Sequence, residues 1–535
     1  MSADFDFIVV GSGCTGAVAA ETLISRGFRV HMIDGGLTDE HYKSIIPEKD
    51  FVSIRSNDKE QHRYFLGDDF ESLPKDHVST GAQLTPGRQH IIRETERLLK
   101  VVSEDFTPME SLALGGLGAG WGLGSCVFSD QELIKCSLDA EEMRTAYQQA
   151  ADIIGISGEQ DDALQYTSAH IKNVQQALPA DRVAQRLLHH YSNKKNRLNQ
   201  KGFYLGRPAL ALLSEGRQDR QGNSLRDMDF YDDHGYSAYR PQITIEQLKR
   251  NRQFLYSGGW MVTSFDDGEN HATVSAINIA TNERQQFRAK KVILASGVLG
   301  TARIVMRSMP GGKDSRLPLM CNPYTYMPCI ILSLMGKKIP DKNFGFAQLS
   351  LFHDQQLLHE DVAMASIYSY RSLLLFRLLG ETPLNFRDGR KIMQYLLSGL
   401  LIAGIHHPET FGTEQFITLK KDDDSPTGDV LHIRYQRGAQ KDSSVLRREQ
   451  LFRKAFRVLG AWPLKTVHPG HGSSIHYAGT LPFSAVEKPF TLNPDGQLHG
   501  TNNIYVADGS GFTFLPAKGL TLSLMANAIR VCRKI

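Results

Sequence analysis

The sequence predicts an α/β protein in which one domain is assembled from both ends of the chain and a second domain is inserted between them. Glycine-rich turns that follow apolar strands occur near residue 11, near residue 296 and again after residue 465, whereas residues 308–462 have a different pattern. A chain of 535 residues is long enough to bury two or three packed units. This order of patterns favours an inserted domain over two domains placed end to end.

The N-terminal segment predicts a dinucleotide site. An apolar strand over Phe7–Val10 runs into a turn that contains Gly11, Gly13 and Gly16, and a helix is expected over Ala17–Ser25. In this pattern the first glycine allows a tight turn, and the second lets the backbone approach a pyrophosphate. The third lets the helix pack closely on the strand.

The next strand supports the same prediction. Arg29–Ile33 is apolar and ends in Asp34, about the distance along the chain at which an acid accepts ribose hydroxyls. An acid at this position disfavours a 2′-phosphate, so NADP is not expected. The motif leaves FAD and NAD open.

Composition excludes several classes of partner. The formal net charge is +3, and no block of Lys or Arg occurs, so nucleic acid is not expected. The six cysteines form no C-x-x-C pair, which predicts free thiols in a reducing compartment. Residues 1–10 lack the pattern of a signal peptide, since Asp4 and Asp6 interrupt them. We therefore expect a cytoplasmic protein.

A glycine cluster over 115–124 predicts a ligand-facing loop. Six glycines within ten residues do not form a stable helix or an ordinary strand. The apolar residues Leu114, Leu117, Trp121 and Leu123 should pin this loop, so a flexible linker is disfavoured. Further along, a helix is predicted for Asp139–Ile156 from its apolar spacing.

Strands are then predicted at Gly259–Phe265, His271–Asn278 and Lys291–Ala295, and the last runs into a second glycine turn and helix at 296–303. Beyond Ser308 we expect strands alternating with longer apolar helices.

Two apolar stretches lie in this middle portion, Tyr395–Ile405 and Ser372–Leu379. Tyr395–Ile405 is too short to span a bilayer. A core helix or the wall of a substrate channel is favoured, and peripheral contact with a membrane or with a lipid-like substrate is the alternative.

Taken together, these motifs resemble the glucose–methanol–choline (GMC) family of FAD-dependent oxidoreductases. Gly11, Gly13, Gly16 and Asp34 resemble its FAD fingerprint, and residues 114–122 resemble its flavin-proximal loop. Residues 292–301 resemble its second signature. The C-terminal signature is matched by His476-x-x-Gly479-Thr480 and by residues 503–510 and 515–521.

The resemblance implies a Rossmann-like FAD-binding domain, of the kind shared with p-hydroxybenzoate hydroxylase, and an inserted α+β substrate domain with an antiparallel sheet. The implied limits are 1–310 for the FAD domain, with substrate-side segments within 40–110 and 160–240. Residues 311–464 would form the substrate domain, and 465–535 would return to the FAD domain. The implied cofactor positions are Gly11, Gly13, Cys14, Thr15, Gly16, Asp34, Gly35, Gly115, Gly116, Gly118, Ala119, Gly120, Trp121, Val262, Ser296, Gly297, Asp508, Gly509, Gly519, Leu520 and Thr521.

By the same resemblance, His476 is the general base beside flavin N5. Histidine suits this role, because its ordinary pKa lies near working pH. His468 and His471 lack the x-x-Gly-Thr context and are expected to be loop or channel residues.

The chain departs from the family at the partner of this histidine. The family places an Asn or His in the C-terminal loop, where this chain has Gly519, next to Lys518. Lys518 could supply a charge near the flavin, although a structural role is favoured. Residues 115–124 contain no histidine, so the FAD should be non-covalent, and the segment 226–240 has no cysteine cluster, so no metal is expected.

Three functions remain open from the sequence. The favoured one is oxidation of an alcohol, on a fairly bulky or apolar substrate, with oxygen, a quinone or a protein as electron acceptor. A flavoenzyme of a biosynthetic pathway with altered chemistry, such as desaturation, cyclisation or isomerisation, is the alternative because the usual partner is missing. A flavin-binding protein with a scaffolding role is the third.

Overall fold

The computed structural model describes residues 5–39, 41–72, 85–338, 342–369 and 385–535. Its strands are β1 (Phe5–Val10), β2 (Val30–Ile33), β3 (Val101–Val102), β4 (Ser157–Gly158), β5 (Gln175–Gln176), β6 (Phe203–Gly206), β7 (Phe254–Ser257), β8 (Trp260–Asp267), β9 (Ala272–Asn278), β10 (Arg284–Leu294), β11 (Leu317–Pro318), β12 (Met320–Cys321), β13 (Tyr324–Ile330), β14 (Leu349–His353), β15 (Ala363–Ser369), β16 (Leu400–His406), β17 (Gln415–Lys421), β18 (Asp429–Tyr435), β19 (Trp462–Pro463), β20 (Tyr477–Ala478) and β21 (Ile504–Val506). Its α-helices are α1 (Cys14–Ser25), α2 (Tyr42–Ile45), α3 (Phe51–Asn57), α4 (Gln61–Leu66), α5 (Thr95–Leu98), α6 (Asp130–Lys135), α7 (Ala140–Ile154), α8 (Leu164–Thr167), α9 (Arg182–Asn199), α10 (Pro241–Leu248), α11 (Val298–Ser308), α12 (Phe386–Leu396), α13 (Ala439–Val458) and α14 (Thr521–Lys534).

The first sheet is assembled from distant parts of the chain. Its order is β7-β2-β1-β10-β9-β8, and β21 also pairs with β10. The strands β7, β2, β1, β10 and β21 are parallel, whereas β9 pairs antiparallel with both β10 and β8. Residues 504–506 therefore complete a sheet that begins at residue 5, which confirms the predicted α/β fold.

Burial on both faces explains why these strands are apolar throughout. The last four residues of β1 and all four of β2 are buried, as parallel strands covered by helices require. Helices α1 and α14 pack together in the core cluster that covers this sheet. The helix predicted for Asp139–Ile156 is α7, which packs against α14.

The second large sheet is antiparallel and has the order β19-β13-β16-β15-β14-β6. Odd-numbered residues of its central strands, such as Met327, Ala365 and Leu401, are buried against α9 and α13. Even-numbered residues, such as Tyr326 and Ile402, face the opposite way and line a cavity. The predicted antiparallel sheet of the inserted domain is thus confirmed, while the limits of the domains stay a prediction.

Some expectations for the middle of the chain were wrong. Tyr395–Ile405 is not a core helix, since α12 ends at Leu396 and β16 begins at Leu400. Its β-branched and small residues alternate between the two faces of the sheet, and this period favours a strand. Ile402 of this stretch lies in the cavity wall, in line with the other expectation, the wall of a channel. In the described part of residues 308–462, the strands are interrupted by only two longer helices, α12 and α13, so the expected alternation holds only in part. Ser372–Leu379 lies outside the described residues.

Candidate active site

A cavity of about 750 Å³ joins the carboxyl ends of the parallel strands to the even-numbered face of the antiparallel sheet. This volume is within the range of sites for cofactors and substrates. Of the predicted cofactor positions, its wall contains Gly11, Gly13, Cys14, Thr15, Asp34, Gly35, Gly116, Gly118, Gly120, Trp121, Val262, Ser296, Gly297, Asp508, Gly509, Gly519, Leu520 and Thr521. The wall does not include Gly16, Gly115 or Ala119.

The glycines of the N-terminal turn have separate structural roles. Gly11 has a φ of +98°, and a Cβ there would lie 2.7 Å from the carbonyl oxygen of Ala295. A Cβ on Gly16 would lie 1.9 Å from the carbonyl oxygen of Gly11, so only glycine allows α1 to pack this closely. At Gly13 the nearest atom to such a Cβ is 3.9 Å away. Gly13 thus leaves the cavity open at the N-terminus of α1, where backbone N–H groups favour an anion.

Asp34 is held in a fixed orientation beside this turn. Its carboxylate accepts hydrogen bonds from the backbone N–H of Ser12 (3.1 Å), from Ser12 Oγ (2.6 Å) and from the Tyr256 hydroxyl (2.9 Å). Burial raises the pKa of Asp34 above its usual range, and these hydrogen bonds oppose the shift. Ser12 Oγ in turn accepts from the N–H of Gly115 at 2.8 Å, which ties the turn to the glycine loop.

The glycine loop is anchored by buried charges that we did not predict. Arg88 donates to the carbonyl oxygen of Ala119 at 2.9 Å, and Arg240 donates to that of Trp121 at 2.8 Å. Asp233 contacts both guanidiniums, at 2.7 and 3.1 Å. Burial acts to raise the pKa of Asp233, but the two guanidiniums outweigh it and hold the pKa below its ordinary value. No sequence motif joins these three residues: Asp233 and Arg240 are seven residues apart, but Arg88 lies far from both along the chain.

The C-terminal loop closes the cavity from the other side. Asp508 accepts hydrogen bonds from Thr301 Oγ1 (2.6 Å), Ser510 Oγ (2.6 Å) and Ser510 N–H (3.0 Å). Leu520 and Thr521 place the N-terminus of α14 at the cavity wall, with no side-chain cap. The free N–H groups of this first turn carry partial positive charge and can stabilise negative charge on a bound group.

Gly519 has a packing role that the sequence did not show. A Cβ at this position would lie 2.7 Å from the carbonyl oxygen of Gly124, so the C-terminal loop touches the glycine loop backbone to backbone. The close approach of the two loops is a sufficient reason for its presence.

Lys518 is directed away from the cavity. Its side chain is completely buried, its Nζ lies 2.7 Å from Glu132 Oε2, and it donates to the carbonyl oxygen of Val127 at 3.1 Å. Glu132 also belongs to the capping box of α6, with Ser129. These contacts favour the structural interpretation of Lys518 over a charge beside the flavin.

His476 lies in the cavity wall and has a defined hydrogen-bond partner. Its Nδ1 is 3.1 Å from Asn322 Oδ1. The Asn322 amide nitrogen donates to the carbonyl oxygens of His407 (2.8 Å), Leu515 (3.2 Å) and Pro516 (3.2 Å), which fixes the orientation of the amide. Because Oδ1 can only accept, Nδ1 of His476 carries the proton and Nε2 keeps its lone pair.

A second histidine, which the sequence did not reveal, stacks on the first. The rings of His406 and His476 are 4.8 Å apart and within 19° of parallel. His406 lies in the cavity wall at the end of β16. Burial lowers the pKa of His476 to about 4. Burial, and then its two histidine neighbours, lower the pKa of His406 well below the usual value. Both rings are therefore neutral at pH 7.

The other two candidate histidines lie outside the wall. His468 contacts Glu449 at 2.9 Å and is half exposed, and His471 packs on Tyr435. Near the pair of stacked histidines the wall is instead aromatic, with Tyr324, Tyr326 and Tyr368 from the antiparallel sheet.

Three other features of the described residues bear on function: metal ligands, cysteines and membrane-spanning helices. They contain no group of three His, Cys, Asp or Glu that could hold a metal ion. All six cysteines are free and buried. In the same part of the chain, no helix is both long enough and apolar enough to cross a membrane.

Comparisons with known proteins bear on the family and on the fold. Residues 436–528 match the family model of the GMC oxidoreductases. The chain is similar in structure to pyridoxine 4-oxidase from Mesorbium loti, with a TM-score of 0.58 and 13% sequence identity over 99% of both chains. At this identity the likeness is one of fold. No curated protein sequence matches the chain. The match over residues 436–528 agrees with the family that the motifs predict, and together with this fold it supports an FAD-dependent oxidoreductase of the GMC type.

Proposed function

We propose that the protein uses non-covalently bound FAD to oxidise the CH–OH group of a fairly bulky or apolar alcohol, with His476 as the general base. The observation that carries this proposal is the contact between Asn322 Oδ1 and His476 Nδ1. It leaves Nε2 unprotonated at pH 7, and an unprotonated imidazole nitrogen can take the hydroxyl proton.

The residues of the cavity fit FAD. Gly13 leaves space at the N-terminus of α1 for a pyrophosphate, and the buried Asp34 carboxylate can accept ribose hydroxyls. The N-terminus of α14 lies at the other end, where it favours negative charge on an isoalloxazine ring. Residues 115–124 contain no histidine that could bond the flavin covalently.

His406 takes the part that the family assigns to the residue at 519. Its ring is neutral and therefore has one N–H, which can donate to the substrate oxygen while Nε2 of His476 removes the proton. When bound, the flavin supplies the acceptor for the hydride that leaves the carbon. The two histidines orient the alcohol, and the aromatic wall excludes water from it.

This arrangement weakens the case for altered chemistry. That alternative depended on the loss of the partner at Gly519, and His406 restores a donor from a different strand. The mass of the product distinguishes the two: a loss of two hydrogens to give a carbonyl supports alcohol oxidation, whereas an alkene, a new ring or an isomer supports the alternative.

The central test is anaerobic reduction of the bound flavin with a panel of sugars, hydroxy-lipids and polyketide-like alcohols. With an alcohol that bleaches the flavin, His476→Ala should retain the cofactor and slow the reduction by roughly 10²–10⁴-fold, the range for loss of a general base. His468→Ala is the matched control and should change the rate little. Equal rates for His476→Ala and the wild type would remove His476 from the mechanism.

The mode of flavin attachment is tested separately. Acid precipitation should release all yellow colour into the supernatant, because no covalent bond is expected. Colour that stays with the washed precipitate would contradict the non-covalent assignment.

A further inference from the structure

Five large apolar side chains are exposed in one region of the antiparallel sheet. Leu332, Ile392, Tyr395, Trp462 and Leu464 are each at least 45% exposed. We call this set the apolar rim. Single exposed apolar residues are ordinary, but a contiguous group of this size marks an interaction surface.

The register of the sheet places these residues side by side. Trp462 pairs with Ile330 across the β13–β19 ladder, and directly opposed residues share a face. Ile330 is buried against Met393 of α12. The loop after β13 returns to the same helix, where the N–H of Gly336 donates to the carbonyl oxygen of Tyr395 at 2.8 Å. Helix α12 and β19 therefore contribute to one continuous surface.

The apolar rim adjoins the mouth of the active-site cavity. The N–H of Leu464 donates to the carbonyl oxygen of Pro328 at 2.9 Å, and both Pro328 and Lys465 line the cavity. Ile402, which packs beside Met393 under α12, lines it as well. A molecule bound at the rim would thus be next to the entrance of the site.

The charged residues around the apolar rim are predominantly basic. The segments 331–338, 385–399 and 462–465 together carry six basic residues and a single acidic one, Asp388. Lys337, Arg387, Lys391 and Lys465 are exposed. The whole chain, in contrast, has a net charge of only +3. Exposed Trp and Tyr beside Leu, with lysines around them, match the boundary between headgroups and acyl chains of an anionic bilayer.

We propose that the apolar rim docks the enzyme reversibly on an anionic membrane surface, with the cavity mouth facing the lipid. The substrate would then be a lipophilic alcohol that partitions into the bilayer. This second statement rests on the proposed function, whereas docking does not require turnover.

The test is binding of the flavin-loaded protein to vesicles of phosphatidylcholine with one quarter phosphatidylglycerol, measured by sedimentation without substrate. We expect binding that weakens with salt and with pure phosphatidylcholine. Trp462→Ser/Leu464→Ser should weaken binding to the vesicles at least tenfold, because each apolar side chain that leaves water contributes about a factor of ten to the affinity. Lys337→Gln/Lys391→Gln should weaken it roughly 30-fold, at about 1 kcal/mol per basic residue near an anionic surface.

Matched controls distinguish binding through the apolar rim from non-specific binding through charged or apolar residues elsewhere on the protein. Ile134→Ser/Val486→Ser removes two other exposed apolar residues. Lys194→Gln/Lys201→Gln removes two exposed charges, one on α9 and one just after its end, and α9 packs on the opposite face of the sheet. Both controls should bind like the wild type. Absence of binding by the wild type, or equal binding by Trp462→Ser/Leu464→Ser, would overturn the proposal. So would dimerisation in solution that Trp462→Ser/Leu464→Ser abolishes, since the rim would then bind a second copy.

Discussion

Replacing His406 with Phe tests whether this residue supplies the missing partner of His476. Phenylalanine keeps a planar ring that can stack on His476 at the observed 4.8 Å, but it removes both ring nitrogens. A single donor to a reacting oxygen contributes about 2.7–4 kcal/mol when water is excluded. We therefore expect flavin reduction to slow by roughly 10²–10³-fold, with the flavin still bound.

The assay is anaerobic stopped-flow, which follows flavin absorbance during a single turnover. His406→Gln keeps an N–H donor and should recover a substantial part of the rate, whereas a purely structural role would not distinguish Gln from Phe in this way. His432→Phe is the matched control, because His432 lies on β18, outside the cavity wall.

The double variant His406→Phe/His476→Ala tests whether the two histidines act together. If His406 and His476 act on the same hydroxyl group, the effects of His406→Phe and His476→Ala should be strongly non-additive. A wild-type rate of flavin reduction in His406→Phe would refute the assignment, and the donor would then have to come from another residue of the wall.

Four further predictions follow from the same geometry. Gly13→Val should fold but fail to bind flavin. Gly16→Ala should reduce the stability of the protein, because the added Cβ would lie 1.9 Å from a backbone oxygen. Equal stability of the two variants would contradict this. Gly519→Asn should lower thermal stability and activity together, since its Cβ meets Gly124; a faster enzyme would argue instead for a vacant partner position. The rate of flavin reduction should rise with pH through about 4 and be level by pH 6, because His476 acts as a base only when unprotonated; a midpoint near 6.5 would show that burial does not lower its pKa. Burial also lowers the pKa of His31, His90 and His353 to about 4. The unfolded chain therefore binds more protons below pH 6.5, and urea denaturation at pH 5 should show a loss of about 2 kcal/mol per histidine relative to pH 7.

The N-terminal part of the candidate site follows from local sequence. The turn at Gly11–Gly16 and the acid at Asp34 need only a strand, a turn and a strand, and these are contiguous in the chain. The structure brings both to the cavity, together with His476. Their local geometry is decided by glycine and by apolar spacing, which are visible in the sequence.

The rest of the site depends on pairing between distant segments. His406 lies seventy residues before His476, and no motif surrounds it. The rest of β16 falls in Tyr395–Ile405, for which the sequence favoured a core helix or the wall of a substrate channel. Asn322 can be identified as the partner of His476 only in the structure, because three carbonyl groups from two other segments orient its amide. Two signals could have indicated the strand: Gly399, which lies between the end of α12 and the start of β16, and the period-2 spacing that puts Ile402 and His406 on one face of β16.

The position of β21 has a consequence for how the protein is made. This strand pairs with β10 in the middle of the first sheet, and α14 then covers α1. About 500 residues separate β1 from β21, which at ribosomal rates corresponds to roughly 25–100 s. Until β21 and α14 emerge, β10 lacks one neighbouring strand and α1 lacks the helix that packs on it, and the exposed apolar surface is available to chaperones or to other nascent chains. The antiparallel sheet has no such dependence, because its last strand, β19, emerges before residue 470. Ribosome-bound chains of increasing length should therefore acquire protease resistance in the inserted sheet first, and the flavin site should become competent only after the final helix has left the exit tunnel.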